Sequence, residues 1–381
     1  MFHSSTGLPH LLPPNAYCDD SWAAKECVGP LYRAWHLVGI ASELAETGDF
    51  LTTEILGVPL QIRRFDDGIA ALSNVCAHRH CLISSQKLGR SETMKCQYHG
   101  WEYGSDGFNR KIPCAKDFAP IAREQIRLPS YQVDTCGQLV FVRLSPTGMT
   151  LQDFLGPVAT KMQAGFGPNT KSFFKWEVNY QANWKIAIEN SLEAYHVQSV
   201  HPKTFRSDPG EKRSEHQLDP FHTAFGSDLP FAHSKLNLAF QKWEGRVVKM
   251  LGGSPTNRYW QHHVFPNLLC SYTDAISLVH CVIPTATMSS RSLVYQFGIC
   301  PDRPGIKRTL ATVWGHLEAG CTKRILKEDV EMYARIQNGL KASQQIGRLA
   351  RSEERIHRFQ EYLLKQLNDG EPKPGLIETE P

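Results

Sequence analysis

Two short segments that each combine a cysteine with a histidine constrain this 381-residue chain more than any other feature. One residue separates Cys76 from His78, and two residues separate Cys96 from His99. Thiolate and imidazole are common ligands of transition metals in proteins. Gly100, directly after His99, lets the backbone approach ligand sulfurs without a Cβ in the way. The pattern therefore predicts a metal site held by two loops.

The order of these ligands separates two kinds of metal site. A zinc finger usually takes two cysteines from one element and two histidines from another, whereas here each segment is mixed. Mixed segments suit a [2Fe–2S] cluster in which one iron takes both cysteines and the other takes both histidines, the Rieske arrangement. Structural zinc stays open as the alternative, because the same four ligands can bind it.

These two segments, spaced by seventeen residues, resemble the Rieske motif of the non-haem iron oxygenases. Respiratory Rieske proteins carry an additional cysteine in each loop, and a disulfide joins the two. Cys81 matches the first of these cysteines, but Tyr98 stands at the second position. No such disulfide can form, and we expect Cys81 to be a small buried thiol.

The chain also departs from the common form of the oxygenase motif. The family usually has proline after each cysteine and glycine after the His-Arg pair, and this chain has Ala77, Gln97 and His80 there. These changes predict an altered loop rigidity. We interpret His80 as a polar loop residue and not as a ligand.

Composition places the chain among ordinary globular proteins, with 41% apolar and 21% charged residues and a length that suits two or three domains. A net charge of +4 gives no case for binding nucleic acid. Eleven cysteines without paired spacings favour reduced thiols. Since we find neither a signal peptide nor an apolar run of membrane-spanning length, we expect a cytoplasmic protein.

Strand-like and helix-like patterns occupy different parts of the sequence. Short β-runs divided by glycine and aspartate turns extend from Trp35 to Leu144, and further strands fall between Trp260 and Cys300. Helical patterns cover about Trp184 to Val200 and Ala311 to the region of Gln366. This segregation predicts the α+β class. The expected domains are an N-terminal extension packing on the catalytic domain (1–34), an all-β Rieske domain (35–147) and a catalytic domain (148–381).

A second group of candidate ligands lies near Pro202. His196 and His201 are five residues apart, which places them about 140° apart around an ideal helix. They can converge only if the helix widens or ends between them, and Pro202 favours an end. With one outside carboxylate they would form the facial triad of non-haem iron oxygenases. Alone, such a pair more often represents surface or capping histidines, so the interpretation depends on the first motif.

The third ligand can be argued from a helical pattern. Asp329 lies within an apolar stripe, four residues after Ile325 and four before Tyr333. A lone carboxylate on a buried face costs several kcal/mol unless it is paired or bound to metal. Asp329 is therefore the predicted ligand, and pairing with an arginine is the alternative. We expect Glu328 and Glu331 to be ordinary solvated residues.

The segment from Asn190 to His201 resembles the mononuclear-iron signature of Rieske oxygenases. The segment from Glu328 to Leu340 resembles the third-ligand helix of the carnitine, choline and glycine betaine monooxygenases. The resemblance implies that Glu193 accepts hydrogen bonds from His196 of its own chain and from His99 of a neighbouring subunit. Such bonding orients metal-bound imidazole.

The resemblance also implies the fold and the partners. Asn190 would lie near the iron without binding it, inside a helix-grip (START/Bet v 1-like) catalytic domain with an antiparallel sheet. The protein would be a terminal oxygenase that uses a [2Fe–2S] cluster, a mononuclear Fe(II) and O₂. NAD(P)H would supply electrons through a flavin-containing reductase, with or without a ferredoxin, to a head-to-tail homotrimer. Basic residues near the cluster either dock an acidic donor or form a solvated loop surface: Arg79, Lys87, Arg90 and Lys95.

The substrate is the least determined part of the prediction. Four aromatic residues either cage a quaternary ammonium group, sandwich an aromatic ring or pack in the core: Tyr259, Trp260, Phe265 and Tyr272. Two enzymatic interpretations are open, oxidation of a small quaternary ammonium compound and hydroxylation or demethylation of an aromatic acid. The resemblance favours the first, because the carnitine-oxidising type also has glutamate at position 193 and because of the segment from Glu328 to Leu340. A lysine or arginine inside the pocket would favour the second. A non-catalytic electron carrier or zinc-binding module is the third interpretation, and it predicts no convergence of His196, His201 and Asp329.

Overall fold

The computed structural model describes residues 1–122, 125–202, 204, 209–229 and 235–368. Its helices are α1 (Asp20–Val28), α2 (Pro30–Arg33), α3 (Leu151–Leu155), α4 (Ala159–Gly165), α5 (Trp184–Ser191), α6 (Val197–Val200), α7 (Lys235–Met250), α8 (Ile306–Ala342) and α9 (Glu354–Asn368). Its strands are β1 (Leu8–Pro9), β2 (Trp35–Ile40), β3 (Asp49–Ile55), β4 (Val58–Phe65), β5 (Gly68–Ser73), β6 (Leu88–Arg90), β7 (Met94–Lys95), β8 (Glu102–Tyr103), β9 (Asn109–Lys111), β10 (Ser130–Cys136), β11 (Leu139–Arg143), β12 (Thr170–Tyr180), β13 (Ser214–Leu218), β14 (His222–Asp228), β15 (Arg258–Val264), β16 (Leu268–Tyr272), β17 (Ile276–Ala286), β18 (Ser289–Ile299) and β19 (Arg348–Leu349).

The chain folds as two compact units. The smaller unit is Arg33–Phe154, and the larger combines Met1–Tyr32 with the described residues from Leu155 onward. Sheets and long helices segregate along the chain, which confirms the predicted α+β class. The domain limits expected from the sequence remain a prediction. Within the described residues, no helix combines the length and the apolar character needed to cross a membrane.

The smaller unit is built on antiparallel β-structure. Seven strands pair in the order β2-β11-β10-β5-β4-β3-β6, and β7, β8 and β9 form a second small sheet. The turn between β3 and β4 consists of Leu56 and Gly57, whose φ angles are 50° and 80°. Two central residues with positive φ match the twist of antiparallel strands, so this turn produces a tight hairpin.

The two cysteine-histidine segments follow β5 and β7 and lie over their own apolar core. This core joins Cys76 and Cys96 to buried side chains from several strands and loops, among them Leu72, Met94, Trp101 and Leu128. A separate cluster fills the other part of the sheet, with Leu51, Ile62 and Val140 among its members. Contacts with these buried side chains therefore hold the two segments in place.

The larger unit contains a seven-stranded antiparallel sheet with strand order β12-β18-β17-β16-β15-β14-β13. Helix α8 packs on β12, where the rings of Tyr180 and Tyr333 lie 5.0 Å apart. A side chain at Gly315 of α8 would collide with the ring of Phe173, so glycine permits this close approach. Helix α9 covers the same face of the sheet at β15, through the contact between His263 and Phe359.

A buried ion pair connects α1 to the rest of the larger unit. Lys185 of α5 and Glu26 of α1 form an ion pair of 2.6 Å between side chains that are 0% and 1% exposed. Trp184 donates its indole N–H to the other carboxylate oxygen of Glu26 at 2.7 Å. Because removal of one partner from a buried pair leaves an uncompensated charge, these contacts couple α1 to α5.

Helix α5 differs from its predicted extent. Asn183 caps its start by accepting a hydrogen bond from the N–H of Lys185. The helix ends at Ser191, so the predicted helix over 184–200 is wrong in its second half. One short turn, α6, follows after a break. The region 203–258, which carries no clear pattern, contains β13, β14 and α7 among its described residues.

Candidate metal centres

The two cysteine-histidine loops share one backbone hydrogen-bond pattern. In each loop the cysteine N–H donates to the carbonyl five residues later, and the cysteine carbonyl accepts from the N–H four residues later. The N···O distances are 2.9 and 3.1 Å in the loop that begins at Cys76 and 2.8 and 3.0 Å in the loop that begins at Cys96. Each loop is thus closed by its own backbone.

The fifth residue of each loop has a left-handed backbone. Gly100 has a φ of 73° and His80 has a φ of 57°. Glycine adopts this conformation freely, whereas other residues pay about 1 kcal/mol or more for it. The geometry explains why the family commonly places glycine where this chain has His80. The His80 side chain is exposed, which suits a polar loop residue.

The sulfurs and the imidazoles occupy different environments. Cys76 and Cys96 are each 2% exposed, whereas the side chain of His99 reaches the surface. The rings of His78 and His99 lie 4.6 Å apart, and His78 stacks on Trp101 with ring centroids 4.9 Å apart. The histidine end of this site therefore faces outward.

The grouping of the four ligands fits the mixed pattern of the sequence. The two cysteines are buried in the core, and the two imidazole rings lie beside each other, 4.6 Å apart. A cysteine pair next to a histidine pair suits a [2Fe–2S] cluster in which one iron takes both cysteines and the other takes both histidines. The same four ligands can bind zinc, so this geometry leaves structural zinc open.

Two further side chains lie beside the sulfurs. The Tyr103 hydroxyl lies 3.1 Å from Cys76 Sγ and accepts the N–H of Ala77 at 3.1 Å. Burial, with the adjacent Cys76 thiol, raises the pKa of Tyr103, so its proton is held for a bond to sulfur. No sequence pattern indicated this residue. Cys81 is a free thiol as expected, although it is half-buried and not fully buried.

The predicted mononuclear ligands lie together. His196 and His201 flank the single turn of α6, and Asp329 reaches them from α8. The Nε2 atoms of His201 and His196 are 3.0 and 3.5 Å from Asp329 Oδ1. One ligand atom from each of the three residues lies within 4.8 Å of the other two. Two imidazole nitrogens and one carboxylate oxygen in this arrangement fit a non-haem iron ion.

Each histidine of this group is held from behind by a carboxylate. Glu193 accepts hydrogen bonds from the backbone N–H of His196, at 3.0 Å, and from its Nδ1. Glu328 accepts from His201 Nδ1 at 2.8 Å. Such bonds fix the tautomer and leave Nε2 available as a metal ligand. Burial acts to lower the pKa of His201, but the carboxylates of Asp329 and Glu328 outweigh it and raise the pKa.

The expectation that Glu328 is an ordinary solvated residue is wrong. Its carboxylate bridges His201 and Arg324, whose Nε lies 3.1 Å from Glu328 Oε1. The sequence did hold an indication of this role, since Glu328 lies beside Asp329 and four residues after Arg324. Helical periodicity nevertheless assigned Glu328 to the outer face of the helix. Asn190 lies in the last turn of α5 and makes no hydrogen bond to the three predicted ligands among the described residues.

The four candidate aromatic residues do not line one pocket. Consecutive residues of a strand point to opposite faces, so Tyr259 and Trp260 of β15 diverge. Trp260 lies beside Lys161, and Tyr272 lies beside Phe166, both on the face away from α9. Phe265 packs in the core. An aromatic cage made from all four residues is therefore wrong, because Trp260 and Tyr272 lie on the opposite face from Tyr259, and Phe265 packs against α9.

The basic residues near the cluster loops are partly neutralised. Arg90 lies 3.6 Å from Asp49, and Lys95 lies 3.9 Å from Glu102. Arg79 stacks on the ring of Tyr98, and Lys87 is exposed. A role of this surface in docking an electron donor remains a prediction.

Comparison with known proteins agrees with both sites. Residues 169–369 match the family model of the ring hydroxylating alpha subunit (catalytic domain), and residues 34–132 match that of the Rieske [2Fe-2S] domain. The oxygenase subunit of glycine betaine monooxygenase from Pseudomonas aeruginosa is 27% identical over 251 residues, which cover 63% of this chain and 57% of that protein. The chain thus spans little more than half of that relative's length.

Two further similarities extend over more of the chain. The large subunit of anthranilate 1,2-dioxygenase from Burkholderia cepacia is 24% identical over 343 residues, covering 80% of this chain and 78% of that protein. One solved structure is a quaternary ammonium Rieske monooxygenase, which is described in connection with carnitine oxidation by gut microbiota and inter-subunit electron transfer. It superposes on this chain with a TM-score of 0.75 at 18% identity, and the match covers 94% of this chain and 95% of that one. The superposition shows a shared fold. Together with the family matches, it confirms the predicted resemblance: this chain belongs to the ring-hydroxylating alpha-subunit family and carries a Rieske domain ahead of the catalytic domain.

Proposed function

We propose that this protein is the terminal oxygenase component of a Rieske non-haem iron oxygenase system. The observation that carries the proposal is the convergence of His196, His201 and Asp329, with Glu193 and Glu328 holding the two imidazoles. A non-catalytic electron carrier or a zinc-binding module has no use for this second site. The smaller unit supports the proposal because it contains the four candidate cluster ligands and matches the Rieske [2Fe-2S] family model.

The chemistry divides between the bound metals and the side chains of the chain. When bound, the cluster supplies single electrons and the mononuclear ferrous ion supplies oxygen activation. Glu193 and Glu328 keep a proton on Nδ1 of His196 and His201, so both Nε2 lone pairs point toward Asp329. Asp329 adds one negative charge, which reduces the net charge of a bound ferrous ion in a buried site.

The route of electrons between the two sites is proposed from the family resemblance. In a head-to-tail homotrimer, Glu193 would join His196 of its own chain to His99 of the next chain. The exposed position of His99 and the existing bond between Glu193 and His196 support this arrangement. A closed ring of identical contacts uses the same surface pair in every subunit. Electrons would enter from a separate flavin-containing reductase, with or without a ferredoxin.

The proposed substrate is a small quaternary ammonium compound, which is oxidised at a carbon next to nitrogen. Similarity to glycine betaine monooxygenase and to the carnitine-oxidising structure supports this class. The second candidate is hydroxylation or demethylation of an aromatic acid. Similarity to anthranilate 1,2-dioxygenase over 80% of the chain favours it, as does the buried Arg355 in the larger unit.

Metal content, an absorption spectrum and turnover together test the proposal. We expect about three irons per chain and the broad visible bands of a Rieske cluster. With a reductase supplied, the protein should consume O₂ in the presence of glycine betaine, carnitine or an aromatic acid such as anthranilate. A colourless protein with one zinc per chain, or an iron-loaded protein that turns over none of these compounds, would contradict it.

The bridging role of Glu193 has its own test. Replacement of Glu193 by glutamine should leave both metals bound but slow electron transfer between them in a single turnover, because the amide cannot hold two imidazole N–H groups as a carboxylate does. The matched control is Glu331→Gln, which alters an exposed carboxylate of α8. Equal single-turnover rates in Glu193→Gln and the wild type would exclude the bridge.

A further inference from the structure

Arg355 is a buried guanidinium that has no negative partner within the described residues. It lies in the first turn of α9, is 1% exposed and donates to neutral acceptors. Its Nε lies 3.2 Å from Thr223 Oγ1, and its Nη1 lies 2.9 Å from Gln261 Oε1 and 3.5 Å from the carbonyl of Leu192. Its Nη2 has no hydrogen-bond partner in the part of the chain that the structure describes. A buried charge left uncompensated is destabilising by several kcal/mol, so its retention needs an explanation.

The surroundings of Arg355 agree with a missing counter-charge. Burial lowers the pKa of Arg355 to about 9, and the nearby Tyr259 acts in the opposite direction. The guanidinium nevertheless stays protonated at neutral pH. Glu354, its neighbour in sequence, already accepts hydrogen bonds from His216 and from the N–H groups of His3 and Ser4.

Arg355 lies on the side of the sheet that carries the predicted iron ligands. Leu192, whose carbonyl it contacts, precedes His196 by four residues. Thr223 and Gln261 project from the sheet face that α9 covers. Burial raises the pKa of Tyr259 on this face, the charge of Arg355 opposes the increase, and the charge of Asp329 adds to it. Tyr259 therefore lies within electrostatic reach of both the guanidinium and the candidate iron site.

A second buried polar side chain on the same face also lacks partners. Gln296 of β18 is 0% exposed, and neither its amide nitrogen nor its amide oxygen makes a hydrogen bond to any described residue. Cross-strand pairing places four residues in one row across the sheet: Gln296, Leu278, Ser271 and Gln261. Residues directly opposite one another share a face, and neighbouring strands lie about 4.8 Å apart, so the ends of this row are about 14 Å apart.

Two polar side chains with unpaired atoms lie at the two ends of this row. Native proteins satisfy most buried polar atoms, and each exception calls for an explanation such as a bound ligand or water. Arg355 lies over one end of the row, at Gln261, and Gln296 forms the other end. Leu278 and Ser271 lie between them, and the Ser271 hydroxyl already accepts a hydrogen bond from Tyr259 at 3.0 Å. A small molecule with an anionic end would satisfy the guanidinium.

We propose that the interior over this row binds the substrate and that Arg355 recognises a carboxylate on it through Nη2, with Gln296 lining the far end of the same interior. The inference rests on the proposed function in identifying the ligand as the substrate. It narrows both candidate classes to molecules with a carboxylate: a betaine-like compound or an aromatic acid. Ammonium compounds without a carboxylate, such as choline, are excluded as good substrates.

Binding of matched probes to the iron-loaded protein tests this inference without turnover. Calorimetry with glycine betaine and choline compares a carboxylate with an alcohol on the same ammonium group, and benzoate and benzyl alcohol make the same comparison on an aromatic ring. We expect one carboxylate to bind about 10- to 100-fold more tightly than its matched alcohol, as for a charge-assisted hydrogen bond. The pair of compounds that shows this difference in affinity identifies the substrate as a betaine-like compound or an aromatic acid. Equal affinities within both pairs would overturn the proposal.

Variants of Arg355 separate two roles of this residue: recognition of a substrate carboxylate, and positioning of the backbone at Leu192. In Arg355→Gln the preference for the carboxylate should disappear, and in Arg355→Lys part of it should return. The control Arg358→Gln alters a more exposed arginine of α9 and should keep the full preference. A purely positioning role would lower iron content or stability but leave the affinity ratio unchanged, and that result would refute recognition. Gln296→Leu should weaken both members of a pair equally.

Failure of this inference can be distinguished from failure of the proposed function. Asp329→Ala should lose turnover but keep the preference for the carboxylate, because that residue does not contact the guanidinium. If the wild type turns over a substrate but shows no preference, the carboxylate inference alone fails. If the protein prefers carboxylates but contains no mononuclear iron, the oxygenase proposal fails and the binding site stands.

Discussion

The two candidate metal sites differ in how much of the fold is needed to form them. The cluster loops begin at Cys76 and Cys96 and repeat one backbone pattern, so each loop is shaped locally. The mononuclear group joins His196 and His201 to Asp329, which follows His201 by 128 residues. It exists only because α8 packs against the sheet and brings Asp329 to the ends of α6. A locally closed site should tolerate distant changes that a site assembled by packing cannot.

The largest expected effect tests whether the mononuclear site can be lost while the cluster site stays intact. Replacement of Asp329 by alanine removes the proposed carboxylate ligand, so one iron per chain should be lost and turnover should fall about 1000-fold or more. The visible spectrum of the cluster should not change, because its loops do not depend on α8. Iron analysis, absorption spectra and O₂ uptake measure the three quantities, with Glu331→Ala as the control. Turnover that survives would disprove the ligand assignment.

Acid should destabilise the larger unit through its buried neutral histidines. Burial lowers the pKa of His280 to about 4, and burial with the charge of Arg355 lowers that of His216 to about 4. The unfolded chain takes up these protons near pH 6.5, whereas the folded protein does not until about pH 4. The unfolding free energy should therefore decrease as the pH falls from 6.5 to 4, by about 1.4 kcal/mol per pH unit for each histidine.

Denaturant titrations at several pH values measure this decrease. In His280→Asn the slope should be smaller by about one proton, since asparagine does not titrate. The control is His80→Asn, which alters an exposed histidine of the smaller unit. A slope unaffected by His280→Asn would show that this histidine is already protonated in the folded protein.

The carboxylates that hold the two histidines should have a smaller effect on iron binding than Asp329. Glu328→Ala removes the acceptor for His201 Nδ1, and loss of such a partner usually weakens metal binding by about 10- to 100-fold. The protein should still bind iron at high concentration, unlike the Asp329 variant. Titration with ferrous iron under anaerobic conditions measures the change, and Glu331→Ala again serves as control. An unchanged affinity would make the contact between Glu328 and His201 incidental.

The smallest expected effect concerns the cluster loops. His80 has a left-handed backbone that glycine adopts without strain, so His80→Gly should stabilise the smaller unit by up to about 1 kcal/mol. Gly100→Ala, at the equivalent position of the other loop, should destabilise by a similar amount. Loss of the visible bands during denaturant unfolding reports on both. The comparison of the two loops fails if the two variants shift the midpoint in the same direction.

The difference between the sites also explains what could be predicted from the sequence. Cys76, His78, Cys96 and His99 lie in short motifs, so residue type and spacing were enough to place them in paired loops. Asp329 followed from helical periodicity, because a carboxylate within an apolar stripe is conspicuous. The antiparallel strands of both units were largely predictable from alternation and turns, and the α+β class followed from them.

The remaining features depend on tertiary packing. Helix α5 stops at Ser191, where periodicity alone continued the helix to Val200. Glu328 follows the rules of an outer helical position, and only the placement of His201 beside α8 gives it a partner. Arg355 sits in an amphipathic helix, where a long charged side chain is expected at the surface. Its burial could be recognised only once α9 was seen against the sheet.

The larger unit joins Met1–Tyr32 to segments that lie more than 120 residues later in the sequence. Glu354 and Gln360 of α9 accept hydrogen bonds from the backbone of Ser4 and Leu11, β1 pairs with β19, and Glu26 neutralises Lys185. The smaller unit, by contrast, is one uninterrupted stretch. During synthesis it can mature while the ribosome is still translating the catalytic sheet and its helices. The segment Met1–Tyr32 must wait for α9 to emerge, so the candidate mononuclear site is assembled after the candidate cluster site.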